Sequence, residues 1–259
     1  MVGEAELHER AYACIFIKMT DERTAVVTGG GKRIGAHLVQ ALLDRGWIVI
    51  AHVRREEDEV AEGAIKAVAE LSHADCADRI FAACADLPPI RLLVNNAARF
   101  GWDDLDEFSP EEFDAHMHVN VRAPVLLTRA FAAQHRGGQG LIVNVLDSKL
   151  AAPNADFLSY TLSKQTLAGF TEIAARALAS RGIRVNGIAP SLMLRSPGQS
   201  DENFRKMHTR NPLGTGVDPA HIIAALDFLV TSPAVTGEVM VIDGGQRFEP
   251  PSRDVQFLE

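Results

Sequence analysis

The sequence predicts an α/β chain: a doubly wound parallel sheet of about seven strands with helices on both faces. Three observations predict it. Short apolar runs are apolar on both parities, as strands covered on both faces must be. Stretches with apolar residues at i, i+3 and i+4 separate them. A glycine-rich turn joins the first run directly to the first helical stretch. In chain order the expected strands are 24–28 (TAVVT), 47–53 (WIVIAHV), a weaker one at 64–69, 91–96 (RLLVNN), 141–147 (LIVNVLD), 183–189 (IRVNGIA) and 239–243 (VMVID). The first helix is expected over 34–45, stopped by Gly46 in the position that favours glycine. Another starts at Ser109-Pro110-Glu111-Glu112, with Ser at the N-cap, Pro at N1 and Glu at N3. A long helix follows Ala155, and a further one begins at Asp218-Pro219.

Residues 1–22 are polar with one small apolar patch, and are expected to be an extension, in part disordered, before one domain over 23–259. There is no internal repeat or low-complexity linker to suggest a second domain. Of the 259 residues, 47% are hydrophobic and 23% charged, the usage of an ordinary globular protein. A formal charge of -8 argues against a nucleic-acid-binding face. Cys14, Cys76 and Cys84 are odd in number and lack C-x-x-C spacing, which fits reduced thiols and a cytoplasmic location and gives no zinc site. His116 and His118 lack helical metal spacing, so no metal is expected. No apolar run approaches the roughly 18 residues of a membrane helix. The apolar patch at 11–17 is short and follows acidic residues, unlike a signal peptide.

The first strand runs into Thr28-Gly29-Gly30-Gly31-Lys32-Arg33-Ile34-Gly35 and then a helix. Glycines allow the tight turn and let backbone N–H groups reach a pyrophosphate at the helix N-terminus. A site for NAD usually ends the second strand with an acid for the ribose 2′-hydroxyl. Here the strand ends His52-Val53-Arg54-Arg55. Two guanidiniums suit a 2′-phosphate, hence NADP(H); the bland alternative is a solvated charge cluster.

Tyr160-x-x-x-Lys164 sits at the start of a long helix, which puts both side chains on one face, one turn apart. An ammonium beside the phenol is expected to lower its pKa. The pair lies 13 residues after Asp147. The T-G-x-x-x-R-x-G turn resembles the T-G-x-x-x-G-x-G turn of the short-chain dehydrogenase/reductase family, with Arg33 at the middle glycine. Asn95-Asn96-Ala97-Ala98, Asn120, Tyr160/Lys164, Ala189-Pro190-Ser191 and the VIDGG at 241–245 follow in the family's order. The chain is therefore identified as a member, over roughly 24–246, of a family with a Rossmann-type fold. The resemblance implies roles for Asn120 as proton relay, Tyr160 as proton donor, and Lys164 in tuning the tyrosine and binding ribose. It implies cofactor contacts from Gly29, Lys32, Arg33, Ile34, Gly35, Arg54, Arg55, Glu70, Leu71, Asn96, Ala97, Ala98, Pro190, Ser191 and Leu192. It also implies a homotetramer or homodimer.

Asp147 departs from the family, whose catalytic serine hydrogen-bonds a substrate carbonyl. An ionised carboxylate cannot donate such a bond. It suits a nitrogenous ring presenting N–H donors, or proton delivery with Tyr160; drift with loss of activity is the third reading. The pteridine reductases of the family share an arginine in the turn, the aspartate, and a phenylalanine shortly after N-N-A, here Phe100. The resemblance implies substrate contacts from Arg33, Phe100, Asp147 and Tyr160, with Phe100 stacking on a flat ring or else closing the cleft edge. Arg99 is expected to narrow or recharge the pocket. A lid over 191–215 offers Met193, Leu194, Phe204 and Met207 as wall residues. The leading expectation is reduction of a C=N or C=O bond of a dihydropterin-type small molecule. The rivals are a general carbonyl or 3-oxoacyl thioester reductase, and a non-catalytic NADP(H)-binding sensor or scaffold.

Overall fold

The computed structural model describes residues 23–196 and 198–258. The expected extension and Cys14 lie outside the described residues. The strands are β1 (Thr24–Val27), β2 (Ile48–Val53), β3 (Ile65–Val68), β4 (Ile90–Asn95), β5 (Gly140–Val145), β6 (Ile183–Pro190) and β7 (Val239–Ile242). They form one seven-stranded sheet in the order β3-β2-β1-β4-β5-β6-β7, and all six pairings are parallel. The order reverses between β1 and β4, so their carboxyl ends diverge into the crevice where such sheets bind ligands.

The helices are α1 (Arg33–Asp44), α2 (Cys76–Ala82), α3 (Pro110–Met117), α4 (Ala123–Gln134), α5 (Leu158–Leu178), α6 (Asp201–His208) and α7 (Pro219–Thr231). Side-chain parity along the strands explains the two-sided apolar pattern. Ala25 and Val27 of β1 pack with Leu38 and Leu42 of α1 and Leu226 and Leu229 of α7. Val26, between them, packs on the opposite face with Ile80 of α2, Leu127 and Phe131 of α4 and Ala174 of α5.

The local signals for helix ends act as read. Gly46 has φ +74, and the Gly46 and Trp47 N–H groups donate to Leu43 and Leu42 carbonyls, closing α1 in a Schellman motif. At α3, Ser109 Oγ accepts from Glu112 N, with Pro110 at the first position. The Glu112 carboxylate, expected to complete the cap, instead takes the Arg99 guanidinium at 2.7 Å. At α7, Asp218 and His221 cap each other's backbone N–H groups.

The connection from β2 to β3 crosses as an irregular loop over residues 54–64. One expectation fails. Asp147 does not end a strand; β5 stops at Val145, and Asp147 caps the 3-10 turn Ser148–Leu150 by accepting from Lys149 N at 2.9 Å. Cys76 and Cys84 are free and buried, and burial pushes Cys84 up to about 12, so it is inert as a nucleophile.

Candidate active site

A cavity of about 830 Å³ opens at the carboxyl ends of the strands, a size that holds a cofactor with a small substrate. One half is made by the turn between β1 and α1. Gly29 is left-handed (φ +64), and a Cβ on Gly35 would lie 1.9 Å from the Gly29 carbonyl oxygen. Only glycine permits this approach. The first turn of α1 has no acidic residue and no side-chain cap at Lys32, so its N–H groups stay available to an anion. A pyrophosphate fits these residues.

Arg33 takes the left-handed conformation (φ +53) that a glycine would adopt freely. Its guanidinium donates to the carbonyls of Arg195 at 2.9 Å and Leu194 at 3.4 Å, tying the turn to the segment after β6. Thr28 binds this half together: its Oγ1 accepts from the N–H groups of Asn96 and Ala97 at 2.9 and 3.0 Å. Asn96 Nδ2 donates back to the Thr28 carbonyl at 2.8 Å.

Sequence reasoning missed His52. It is buried at 3% exposure; its Nδ1 accepts from Gly29 N at 3.1 Å and its Nε2 lies 3.0 Å from the Ala69 carbonyl. The backbone donor at Nδ1 requires the neutral Nε2–H tautomer, and burial holds the ring below its usual pKa. A histidine in the otherwise apolar run IVIAHV was the available signal.

At the 2′-phosphate corner, Arg54 lines the cavity and is 66% exposed, but its Nε donates to Glu70 at 2.6 Å. Two residues expected to hold the cofactor therefore hold each other. Burial raises the Glu70 carboxyl, and the Ser72 N–H with Arg54 outweighs it, holding the acid below its usual range. Glu70 and Leu71 lie just past β3, which ends at Val68. Arg55 stands apart from the cavity lining; its guanidinium is 3.8 Å from Glu57.

The other half of the cavity is built by side chains. Tyr160 and Lys164 share the first turns of α5, and Tyr160 OH donates to Asp147 Oδ2 at 2.9 Å. Lys164 Nζ donates to the Val145 carbonyl at 2.7 Å and lies 5.6 Å from the Tyr160 ring centroid. The expected lowering of the Tyr160 pKa is overturned. Burial and the Asp147 carboxylate raise the phenol well above its usual value. Burial also pushes Asp147 up, and it pushes Lys164 down to about 8.

Asn120 sits on a π-turn, His118–Arg122, between α3 and α4. Its Oδ1 accepts from Arg99 N at 2.7 Å, and its Nδ2 donates to Ser163 Oγ at 2.9 Å and to the Arg99 carbonyl at 3.0 Å. A π-turn interrupts the ordinary hydrogen-bond ladder, and such turns recur at functional sites.

Phe100 is 41% exposed, stacks on Phe157 at 4.4 Å between centroids, and meets Tyr160 edge-on at 4.8 Å. Ala97, Ala98, Pro190, Ser191, Leu192, Met193 and Leu194 line the cavity. Phe204 and Met207 do not: Phe204 stacks on His208 and Met207 is buried at 1% exposure. The Arg99 guanidinium is engaged by Glu112, which counters the expected recharging of the pocket. The C-terminal segment, which carried no sequence signal, contributes Pro251, Asp254, Val255 and Gln256 to the lining.

The family model for short chain dehydrogenases matches residues 23–205. The chain belongs to the short chain dehydrogenase family. Human L-xylulose reductase is 32% identical over 236 residues, covering 86% of this chain and 96% of that protein. The 3beta-hydroxysteroid dehydrogenase 1 of Eggerthella lenta is 32% identical over 248 residues, covering 88% and 95%. Among solved structures, FolM alternative dihydrofolate reductase 1 from Brucella canis, complexed with NADP, superposes with a TM-score of 0.85 at 32% identity, covering 92% of this chain and 98% of that one. A gluconate 5-dehydrogenase from Burkholderia cenocepacia, in complex with NADP and tartrate, has a TM-score of 0.80 at 26% identity, covering 89% and 97%. This short chain dehydrogenase is thus an oxidoreductase whose sequence relatives act on sugars and steroids. Its structural neighbours include a folate-type reductase.

Proposed function

We propose that this chain is an NADPH-dependent reductase of a planar nitrogen heterocycle, most specifically a dihydropterin-type ring. The observation that carries this reading is the 2.9 Å bond from Tyr160 OH to Asp147 Oδ2. It supports a carboxylate at the position where the family's substrate-facing hydroxyl stands, in direct contact with the proton-holding phenol. The FolM structures with NADP support both the cofactor and the substrate class.

When bound, the nicotinamide supplies the hydride. The glycine turn and the open N–H groups of α1 would hold the pyrophosphate, and the exposed guanidinium of Arg54 would meet the 2′-phosphate. Tyr160 keeps its proton across the neutral range and delivers it from OH to the ring atom beside the one reduced. The ionised Asp147 carboxylate accepts from the Tyr160 hydroxyl and from N–H donors of the ring, and the tyrosinate left by proton transfer is reprotonated from solvent. The Lys164 ammonium donates to the Val145 carbonyl and would bind the cofactor ribose when it is present, while Asn120 pins the π-turn to α5 through Ser163. Phe100 offers a flat apolar wall to the ring.

The test is NADPH oxidation with dihydropterins, dihydrofolate, simple ketones and ketoses on protein shown to bind NADPH. Turnover of the heterocycles above the carbonyl compounds is expected. Turnover confined to ketones or sugars would establish the second reading, a carbonyl reductase, which the L-xylulose reductase relatives favour. NADPH binding without turnover of any class would leave the cofactor-binding sensor.

A further inference from the structure

The C-terminal segment returns over the site and is held there by charge. Asp254 Oδ2 lies 2.5 Å from Lys149 Nζ, and both side chains are nearly buried, at 10% and 14% exposure. Arg253 makes a fork to the Asp156 carboxylate at 2.6 and 3.2 Å, and Asp254 N donates to the same group at 2.8 Å. Arg253 holds Asp156 below the usual carboxylate range, with the Asp254 N–H assisting.

Lys149 is the hub of the loop between β5 and α5. Its ammonium also reaches the Asp156 carbonyl at 3.3 Å and Asn154 Oδ1 at 3.4 Å, and stands 4.7 Å over the Phe157 ring. Its backbone N–H is the group that holds Asp147 Oδ1. Phe157 is held in the left-handed region (φ +59), a conformation that surrounding contacts must enforce. Its ring stacks on Phe100 at 4.4 Å and lies 6.0 Å from Phe257 of the C-terminal segment, nearly parallel to both.

We infer that Lys149 and Asp254 are positioning residues: their ion pair clamps the C-terminal segment onto the 147–157 loop and thereby sets Asp147 and the Phe157–Phe100 wall for substrate. A pair this little exposed, with one partner on a terminal segment, leaves an uncompensated ammonium when the other is removed, so the loop around it must rearrange. Asp147, two residues from that ammonium, moves with it. The cofactor half of the cavity makes none of these bonds, so it stays intact when the clamp is opened.

The inference rests on the reductase reading for its kinetic test and is independent of it for its structural one. In the full chain, Asp254→Asn, Lys149→Met and the double variant are compared with NADPH bound. Hydrogen exchange should rise together in 147–158 and 250–258 in each single variant, while the turn at 28–35 and the NADPH Kd stay within about twofold of the parent. With a dihydropterin as substrate, kcat should fall at least tenfold in each single variant, and no further in the double variant than in the worse single one. Asp254→Glu should restore most of the activity, and it serves as the test should either charge-removing variant fail to fold. Exchange rising in 250–258 alone, or single losses that multiply in the double variant, would overturn the coupling. A parent enzyme that turns over no heterocycle sinks the proposed reaction and leaves the exchange result to decide the clamp.

Discussion

The two halves of the cavity are built from different materials. The cofactor half is backbone: glycines at 29 and 35, free N–H groups of α1, and main-chain N–H and carbonyl groups tied by Thr28, His52 and Asn96. The catalytic half is side chains from distant places: Asn120 on a π-turn, Asp147 on a loop, Tyr160 on α5, and Asp254 from the C-terminal segment. A backbone site tolerates few substitutions because its requirements are steric. A side-chain site can change chemistry by single replacements, which is how Asp147 stands where the family has serine.

The division predicts that damage on one side spares the other. Tyr160→Phe should lower kcat by about 10²- to 10⁴-fold, the usual worth of a positioned proton donor, with the NADPH Kd little changed. A parallel loss of NADPH binding, followed by cofactor fluorescence, would break the comparison. Gly35→Ala should do the reverse. Its Cβ collides with the Gly29 carbonyl, so the turn must open, weakening NADPH binding at least tenfold and costing about 1–3 kcal/mol in thermal unfolding.

Asp147→Ser should cut dihydropterin kcat/KM by roughly 10- to 100-fold, the worth of a lost hydrogen bond to a charged group, and raise ketone reduction. Ketone reduction rising with no loss on pterins would favour the carbonyl reading. The pH dependence follows from Lys164. Its ammonium is present below about 8 and lost above it, so kcat/KM should fall as pH rises through about 8. Global stability should move the other way, increasing between about 8 and the usual 10.5, because there the unfolded chain binds the extra proton. The smallest effect is expected at Arg33→Gly. Relief of the left-handed strain, about 1–2 kcal/mol, offsets two exposed hydrogen bonds to the segment after β6, so Tm should move by only a few degrees. A large drop in Tm would mean that this tether carries the segment's order.

Much of the fold was legible because its determinants are local. Two-sided apolar runs, Gly46 after α1 and Ser109-Pro110 before α3 each act through near neighbours in the chain. The cofactor turn was legible for the same reason, since close approach and left-handed φ leave glycine as the trace. Arg54 and Glu70 were read as two cofactor ligands; that they pair with each other depends on β2 and β3 being adjacent, which composition does not encode. The direction of the Tyr160 shift was also out of reach. Spacing places Lys164 one turn away, but burial and the 2.9 Å approach of Asp147 decide the sign.

Spacing and residue type thus established the family, the glycine cradle and the set of chemically capable side chains, because those rest on short-range sterics and on what each group can donate or accept. How the groups are charged, which of them neutralise one another, and that residues 250–258 wall the pocket were decided by the folded arrangement. Electrostatic shifts depend on distance and on exclusion of water, and Asp156 and Arg253, 97 positions apart in the chain, meet only when the chain has folded.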